Sequence, residues 1–339
     1  MKKYPRLHQL ASKRKETAVE KNFPSPWSPL AKYLGEGKEY GDYYTQEELK
    51  KLNLYAKEKG ITIVPEIDMP GHATAILFAY PEYSAGEAPK GVATYWGVFS
   101  NVIANNEKSI NFLKDIFDEI IDIFDGEYVH IGGDEVPLKN YNGNIEHYKN
   151  ILKEITNYLK SKNKKVIMWN EAFDVDLYTD SIIMAWQNWE LGKRFIEKGG
   201  RVIFCPASNF YFDYYQYKNK NEPLAIGGYL PIEKVYNFNL EKKLGKEFFY
   251  ENKENILGIQ ANLWTEYLNS EEKVDFMLFP RFYALAEVVN RRNNNFLAFQ
   301  NSLKKRNLIH RFEVNQKYGK FSTKHLYSRE IFSIRLYLF

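Results

Sequence analysis

Tyr128-Val129-His130-Ile131-Gly132-Gly133-Asp134-Glu135 is an apolar run that ends on two glycines and two acids. Side chains alternate faces along a strand, so Tyr128, His130, Gly132 and Asp134 share one parity and Glu135 has the other. An extended strand would aim the two carboxylates apart. Gly132-Gly133 can take backbone angles closed to other residues and bend the chain so that both acids reach one mouth. Three readings stay open on these residues alone: a solvated acidic turn, a metal site with His130, or a catalytic pair at a strand end.

Outward from this stretch the same unit recurs. Thr45-Gln46-Glu47-Glu48 is a capping box, so a helix is predicted from Thr45 to the stop at Gly60. A strand follows over Ile61–Ile67. The apolar spacing of Ile110, Leu113, Phe117, Ile120 and Ile121 predicts a long helix near Glu107–Phe124. A strand at Tyr128–Ile131, a helix near Ile145–Lys160 and a strand at Val166–Trp169 come next. The strand Ser181–Trp186, a short helix near Leu191–Lys198 and the strand Arg201–Cys205 follow. After a long aromatic loop, the strand Ile256–Leu263 leads to a helix near Glu272–Val289.

Six strands alternating with helices imply an α/β fold with parallel strands and right-handed crossovers. An open doubly wound sheet and a closed barrel both satisfy that order. No Gly-rich phosphate loop follows the first strand, which counts against a nucleotide-binding open sheet. The strand ends read Glu66/Asp68/His72, Asp134/Glu135, Trp169/Glu171, Trp186, Tyr211/Asp213 and Trp264/Glu266. Catalytic groups of (β/α)8 barrels sit at the C-terminal ends of strands, so the expectation is a TIM-barrel type fold with about six β/α units present.

Each of these residues has a bland alternative. A lone Trp is more often core than ligand contact, but Trp169, Trp186 and Trp264 stand at three strand ends. Aromatic faces for sugar C–H groups, with carboxylates for hydroxyls, make a sugar pocket. His72 follows Pro70-Gly71 and is either a turn-packing histidine or a relay to the site beside Glu66 and Asp68.

The bulk numbers fit a folded domain. The chain has 339 residues, 44% of them hydrophobic and 16% aromatic. The aromatic excess suits a sugar cleft, and equally a compositional bias. Net charge is +4, but residues 291–339 hold eleven Lys/Arg against two acids and so carry +9, leaving −5 on the rest. No nucleic-acid motif accompanies that basic tail, which reads as solvated. Cys205 is the only cysteine and reads as a buried core thiol. No apolar stretch is long enough for a membrane span. No signal peptide is visible, since Met1-Lys2-Lys3 leads into Tyr4-Pro5-Arg6.

Together these segments resemble family 20 glycoside hydrolases, the β-N-acetylhexosaminidases. The matching motifs are Val64-Pro65-Glu66-Ile67-Asp68-Met69-Pro70-Gly71-His72 and His130-Ile131-Gly132-Gly133-Asp134-Glu135. Trp169-Asn170-Glu171, Tyr211-Phe212-Asp213, Leu263-Trp264-Thr265-Glu266, Ala225-Ile226-Gly227-Gly228-Tyr229 and Arg281–Glu287 add to them, over about residues 3–290. The resemblance implies retaining, substrate-assisted hydrolysis of an N-acetylhexosamine-terminated glycan, without cofactor or metal. Glu135 is then the general acid and base, Asp134 the group that holds the acetamido N–H, and Tyr211 the donor to the acetamido oxygen. Trp169, Trp186 and Trp264 enclose the acetamido group, and Asp213 and Glu266 bind outer hydroxyls. His72, His130, Asp68 and Glu66 support the acids.

The same resemblance sets expectations at both ends. In the family, a strand with a sugar-gripping Arg and a second strand come before the segment that Lys2–Leu7 resembles, so two β/α units are expected to be absent. Residues 1–44 are expected to be irregular, 45–290 a partial barrel, and 291–339 a basic extension. An inactive fragment that at most binds carbohydrate is the alternative to an active enzyme. Full-length relatives are expected to be exported, periplasmic or secreted.

Overall fold

A computed structural model of the chain describes residues 1–21, 32–177, 181–218, 222–290, 295–306 and 308. Helix α1 (Gln46–Glu58) begins where the capping box places it: Glu48 N–H donates to Thr45 Oγ1 at 3.2 Å, and Thr45 N–H to Glu48 Oε2 at 2.8 Å. Strand β1 (Glu66–Met69) is followed by α2 (Glu107–Ile123), β2 (Tyr128–Gly132), α3 (Ile145–Ser161) and β3 (Lys165–Trp169). Then come β4 (Ile182–Ala185), α4 (Trp189–Glu197), β5 (Arg201–Phe204) and β6 (Ile256–Ile259). Helices α5 (Glu271–Leu278) and α6 (Arg281–Asn290) complete the series.

The six strands form one sheet in the order β6-β5-β4-β3-β2-β1, and every neighbouring pair is parallel. Sequence neighbours are therefore space neighbours throughout, the arrangement of successive right-handed β/α units. Among the described residues, β1 and β6 each pair on one side only. The result is an incomplete (β/α)8 barrel.

Strand alternation sorts the side chains into two layers. Val129, Ile131, Val166, Met168, Ile183, Ala185, Val202 and Phe204 face the helices and join the main core. Ile167, Trp169, Ile182, Met184, Ile203 and Cys205 face inward and form a second, smaller cluster. The inner layer also carries buried His130, Gln260 and Asn262, so the barrel interior grows polar toward one end. Cys205 is a fully buried free thiol, as expected, and burial pushes its pKa up.

Three expectations change. The first strand starts at Glu66 rather than Ile61: Pro65 has no N–H to offer a ladder, although its carbonyl accepts from His130 N–H at 2.9 Å. The single helix near Glu272–Val289 is two, because Pro280 lacks the N–H an uninterrupted helix needs and restrains Phe279. The described part of residues 1–44 is ordered into short elements. Helix Arg6–Gln9 precedes two antiparallel ribbons, Lys13–Arg14 with Tyr40–Gly41, and Ala18–Lys21 with Tyr33–Gly35.

That leading segment is tied down. Lys2 and Lys3 N–H groups donate to Glu119 at 2.7 and 2.8 Å, and Tyr4 Oη donates to Asp115 at 2.7 Å, all on α2. The basic tail lies outside the described residues except for helix Phe296–Lys305 and the few residues around it. No helix among the described residues is long and apolar enough to cross a membrane.

Candidate active site

The acid pair is placed by backbone conformation. Gly132 and Gly133 have φ of 72° and 94°, and Glu135 itself sits at 48° in the left-handed region. This bend turns Asp134 and Glu135 toward one mouth despite their opposite strand parity. A Cβ at Gly132 would fall 1.7 Å from Asp68 Oδ1, so glycine is required there for space as well as for φ. Gly133 N–H donates to Asp68 Oδ1 at 3.1 Å, and Tyr148 Oη donates to the Gly133 carbonyl at 2.6 Å.

His72, also left-handed at φ 47°, reaches both acids. Its Nε2 is 3.3 Å from Glu135 Oε2 and 3.6 Å from Asp134 Oδ2. Burial opposes the imidazolium, but the hydrogen bond to Glu135 and the charges of Asp134, Glu135 and Glu266 outweigh it, and the pKa is raised. Asp68 and Asp134 form a buried, hydrogen-bonded carboxyl pair. Burial first, then the charge of Asp134, raises Asp68 well above the usual carboxylate range. Asp68 therefore keeps the proton and donates it to Asp134. Asp134 Oδ1 is buried and has no hydrogen-bond partner among the described residues.

Beneath the pair lie three residues expected to support it or to touch the sugar. His130 is wholly buried, and burial lowers its pKa to about 3, so it is a neutral imidazole. Gly132 N–H donates to its Nδ1 at 3.0 Å, which assigns the ring proton to Nε2. Nδ1 also lies 3.5 Å from Glu66 Oε1, and Trp169 Nε1 donates to that same oxygen at 3.3 Å. Trp169 has no exposed surface and packs on His130 and Trp264. It is a floor under the site rather than part of its open wall.

The open wall is Trp186, Tyr211 and Trp264. Trp186 and Tyr211 stack with centroids 6.0 Å apart and planes 19° from parallel, and Trp264 meets Tyr211 edge-on at 6.1 Å. Trp186 Nε1 donates to both oxygens of Glu171, at 3.2 and 3.1 Å, and Asn170 Oδ1 accepts from Trp186 N–H at 3.0 Å. Tyr211 bridges to Asn262 in parallel register. Burial holds the Tyr211 phenol well above its ordinary pKa, so it stays a donor.

Asp213 lies close enough to Glu266 to feel its charge. Asp213 is 5% exposed, both of its oxygens are unpartnered among the described residues, and burial followed by the charge of Glu266 raises its pKa well up. Two acceptors so placed are poised for hydroxyl donors. Arg281 anchors the loop that carries Tyr211 and Asp213. Its Nη1 donates to the Tyr214 and Leu230 carbonyls at 3.0 and 3.3 Å, and its Nη2 to the Phe212 and Met277 carbonyls.

All twelve expected site residues thus lie at the C-terminal end of the sheet or directly under it. The residues passed over were Glu171, whose pKa burial and then the charge of Asp134 raise to about 7, and Arg281. Glu171 was visible in the Trp169-Asn170-Glu171 motif, but parity alone did not say that it would face a tryptophan. Among the described residues, the groups that could share a cation are Asp68, His72 and Asp134, with one ligand atom each within 4.8 Å, rather than His130 with the acid pair.

The catalytic-domain model of glycosyl hydrolase family 20 matches residues 1–292. The chain belongs to this family. Among similar proteins, the beta-hexosaminidase of Porphyromonas gingivalis is 34% identical over 305 residues, which are 85% of this chain and 37% of that protein. The beta-hexosaminidase of Vibrio furnissii is 30% identical over 266 residues, 73% of this chain and 43% of that one. The chain therefore spans less than half the length of these relatives. Among solved family 20 structures, the exo beta-N-acetylglucosaminidase of Vibrio harveyi in complex with N-acetylglucosamine superposes with a TM-score of 0.71 at 26% identity. That match covers 93% of this chain and 51% of the other.

Proposed function

We propose that this chain carries the catalytic machinery of an exo-β-N-acetylhexosaminidase, removing terminal N-acetylglucosamine or N-acetylgalactosamine from glycans. The observation that carries the reading is Asp134, an acceptor turned with Glu135 to one mouth and close enough to Tyr211 for its charge to act on that phenol. A substrate acetamido N–H fits that acceptor, and Tyr211 Oη supplies a donor for the acetamido oxygen.

The chemistry runs in two steps. The acetamido oxygen attacks C1 as the glycosidic C1–O bond breaks, and Glu135 gives its proton to the leaving oxygen. The resulting oxazolinium is positive, and anionic Asp134, fixed by the proton of Asp68, stabilises it. Glu135, now a base, takes a proton from water, which opens the ring at C1 with net retention. His72 hydrogen-bonds Glu135 and keeps its carboxyl in register.

Trp186 and Trp264 offer faces to the acetamido methyl and the sugar C–H groups, with Trp169 as their support. Asp213 and Glu266 accept from outer hydroxyls. Release of the phenol from a chromogenic N-acetyl-β-glucosaminide by the purified chain tests the reading, with Glu135→Gln as control. Turnover lost in that variant is the expected result. A folded chain that neither cleaves the glycoside nor binds N-acetylglucosamine would sink it.

A further inference from the structure

A phenol O–H lies in the plane of its ring and has two positions there, one on each side of the C–O bond. At Tyr211 one position serves a substrate in the mouth, and the other turns the proton into the barrel. A hydroxyl accepts as well as donates, so a donor placed behind the oxygen sends the proton the other way.

Asn262 stands behind Tyr211. The two residues pair directly in parallel register. Asn262 N–H donates to the Phe210 carbonyl at 2.8 Å, and Phe212 N–H to the Asn262 carbonyl at 2.7 Å, so two backbone bonds grip Tyr211 from either side. Residues paired in this way put their side chains on the same face. Asn262 is 2% exposed, so its amide lies inside the barrel with the ring.

That amide is oriented by Gln260, wholly buried and two residues back on the same face. Gln260 Nε2 donates to Asn262 Oδ1 at 2.5 Å. With its oxygen taken, Asn262 presents Nδ2, which is buried and makes no close hydrogen bond among the described residues. The Tyr211 phenol and the Cys205 thiol both feel it as a donor. Sulfur is the weaker acceptor of the two, and a buried donor left unmet is costly.

We propose that Asn262, locked by Gln260, is a positioning residue: its Nδ2 donates to Tyr211 Oη and so turns the phenol proton toward the acetamido oxygen of the substrate. The inference rests on the glycosidase reading above. Asn262 touches no reacting atom and acts only through Tyr211. It adds a second layer to the hold on the nucleophile, running from Gln260 through Asn262 and Tyr211 to the sugar.

The test is a cycle of four full-length proteins: wild type, Asn262→Leu, Tyr211→Phe and the double variant, each with a thermal melt. On an aryl N-acetyl-β-glucosaminide, Asn262→Leu is expected to lower kcat about three- to ten-fold, the value of one hydrogen bond, with KM moving less than kcat. In Tyr211→Phe, which has no phenol to position, adding Asn262→Leu should cost less than about two-fold further. Gln260→Met, which frees the amide but leaves it in place, should lower kcat about two- to three-fold and decides the matter if Asn262→Leu does not fold. On a chain that binds N-acetylglucosamine without turnover, the same cycle is read in Kd. An equal loss with and without the phenol, or no loss in either Asn262→Leu or Gln260→Met, would overturn this inference alone. A wild-type chain that neither cleaves nor binds N-acetylglucosamine would overturn the glycosidase reading and this inference with it.

Discussion

Asp68 occupies the space that a side chain on Gly132 would need: a Cβ there would lie 1.7 Å from Asp68 Oδ1. The glycine of one strand end is thus the socket for the acid of its neighbour. It is also how Asp68 reaches the Gly133 amide and Asp134.

Gly132→Ala is therefore expected to act on chemistry as much as on stability. The positive φ alone costs about 1–2 kcal/mol for a residue with a Cβ. Displacing Asp68 removes the proton donor of Asp134, so hydrolysis should fall by at least about a hundred-fold. Urea unfolding and steady-state kinetics on the same sample check both; a variant with wild-type kcat would refute the socket.

Asp68→Asn separates the proton from the charge. The amide still donates to Asp134 but cannot titrate. Activity should survive within about ten-fold at neutral pH, whereas Asp68→Ala should lose about a hundred-fold or more. Equal loss in both variants would mean that the shared proton does not matter.

Tyr211→Phe removes one donor and leaves the stack on Trp186 intact. With the acetamido oxygen as nucleophile, kcat should drop about ten- to hundred-fold. Little change in stability is expected. Unaltered kcat would remove Tyr211 from the reaction.

Stability should fall as pH rises through the neutral range. The folded pKa of Glu171 is about 7, raised from the ordinary 4.5 of a free glutamate by burial and then by Asp134. The folded chain thus holds this proton where the unfolded chain has lost it. Its contribution is complete below about pH 4.5 and is lost as pH climbs to about 7. Asp68, Asp213 and Glu266, also raised by burial, act in the same direction. Melting temperatures from pH 5 to 8 should show the decline, and Glu171→Gln should flatten it. A slope unchanged by that substitution would refute the assignment.

Arg281→Met leaves four carbonyls without their donor in a fully buried place. A loss of about 3 kcal/mol or more is expected, because each unmet buried acceptor is costly. The loop bearing Tyr211 and Asp213 should loosen first, so protease should cut there before global unfolding. Wild-type resistance of that loop would count against the anchor.

Much of this was legible in the order of residues. Helix α1 follows from Thr45 and Glu48, and α2 and α3 from their apolar spacing, because local capping and one-sided burial are properties of short windows. The inward set at β2 follows from parity, and the turn of Glu135 from the two glycines before it. The break at Pro280 was present in the sequence too, hidden by apolar spacing that runs on across it. What parity could not tell was depth: Trp169 and Trp264 stand at equivalent strand ends, yet only Trp264 has an accessible face. Arg281 opens one of the matching motifs, but its role as an anchor was illegible for a different reason. Its partners are backbone carbonyls, reached through the tertiary fold and signalled by no local pattern.

The lone thiol of Cys205 gives the barrel a built-in clock. It lies in the inner layer at zero exposure, and burial suppresses its thiolate. A thiol reagent reaches it only when the strands part, so its labelling rate measures how often that happens. With no second cysteine to confuse the signal, one mass shift per molecule reports opening. A sugar that fills the mouth should slow that clock.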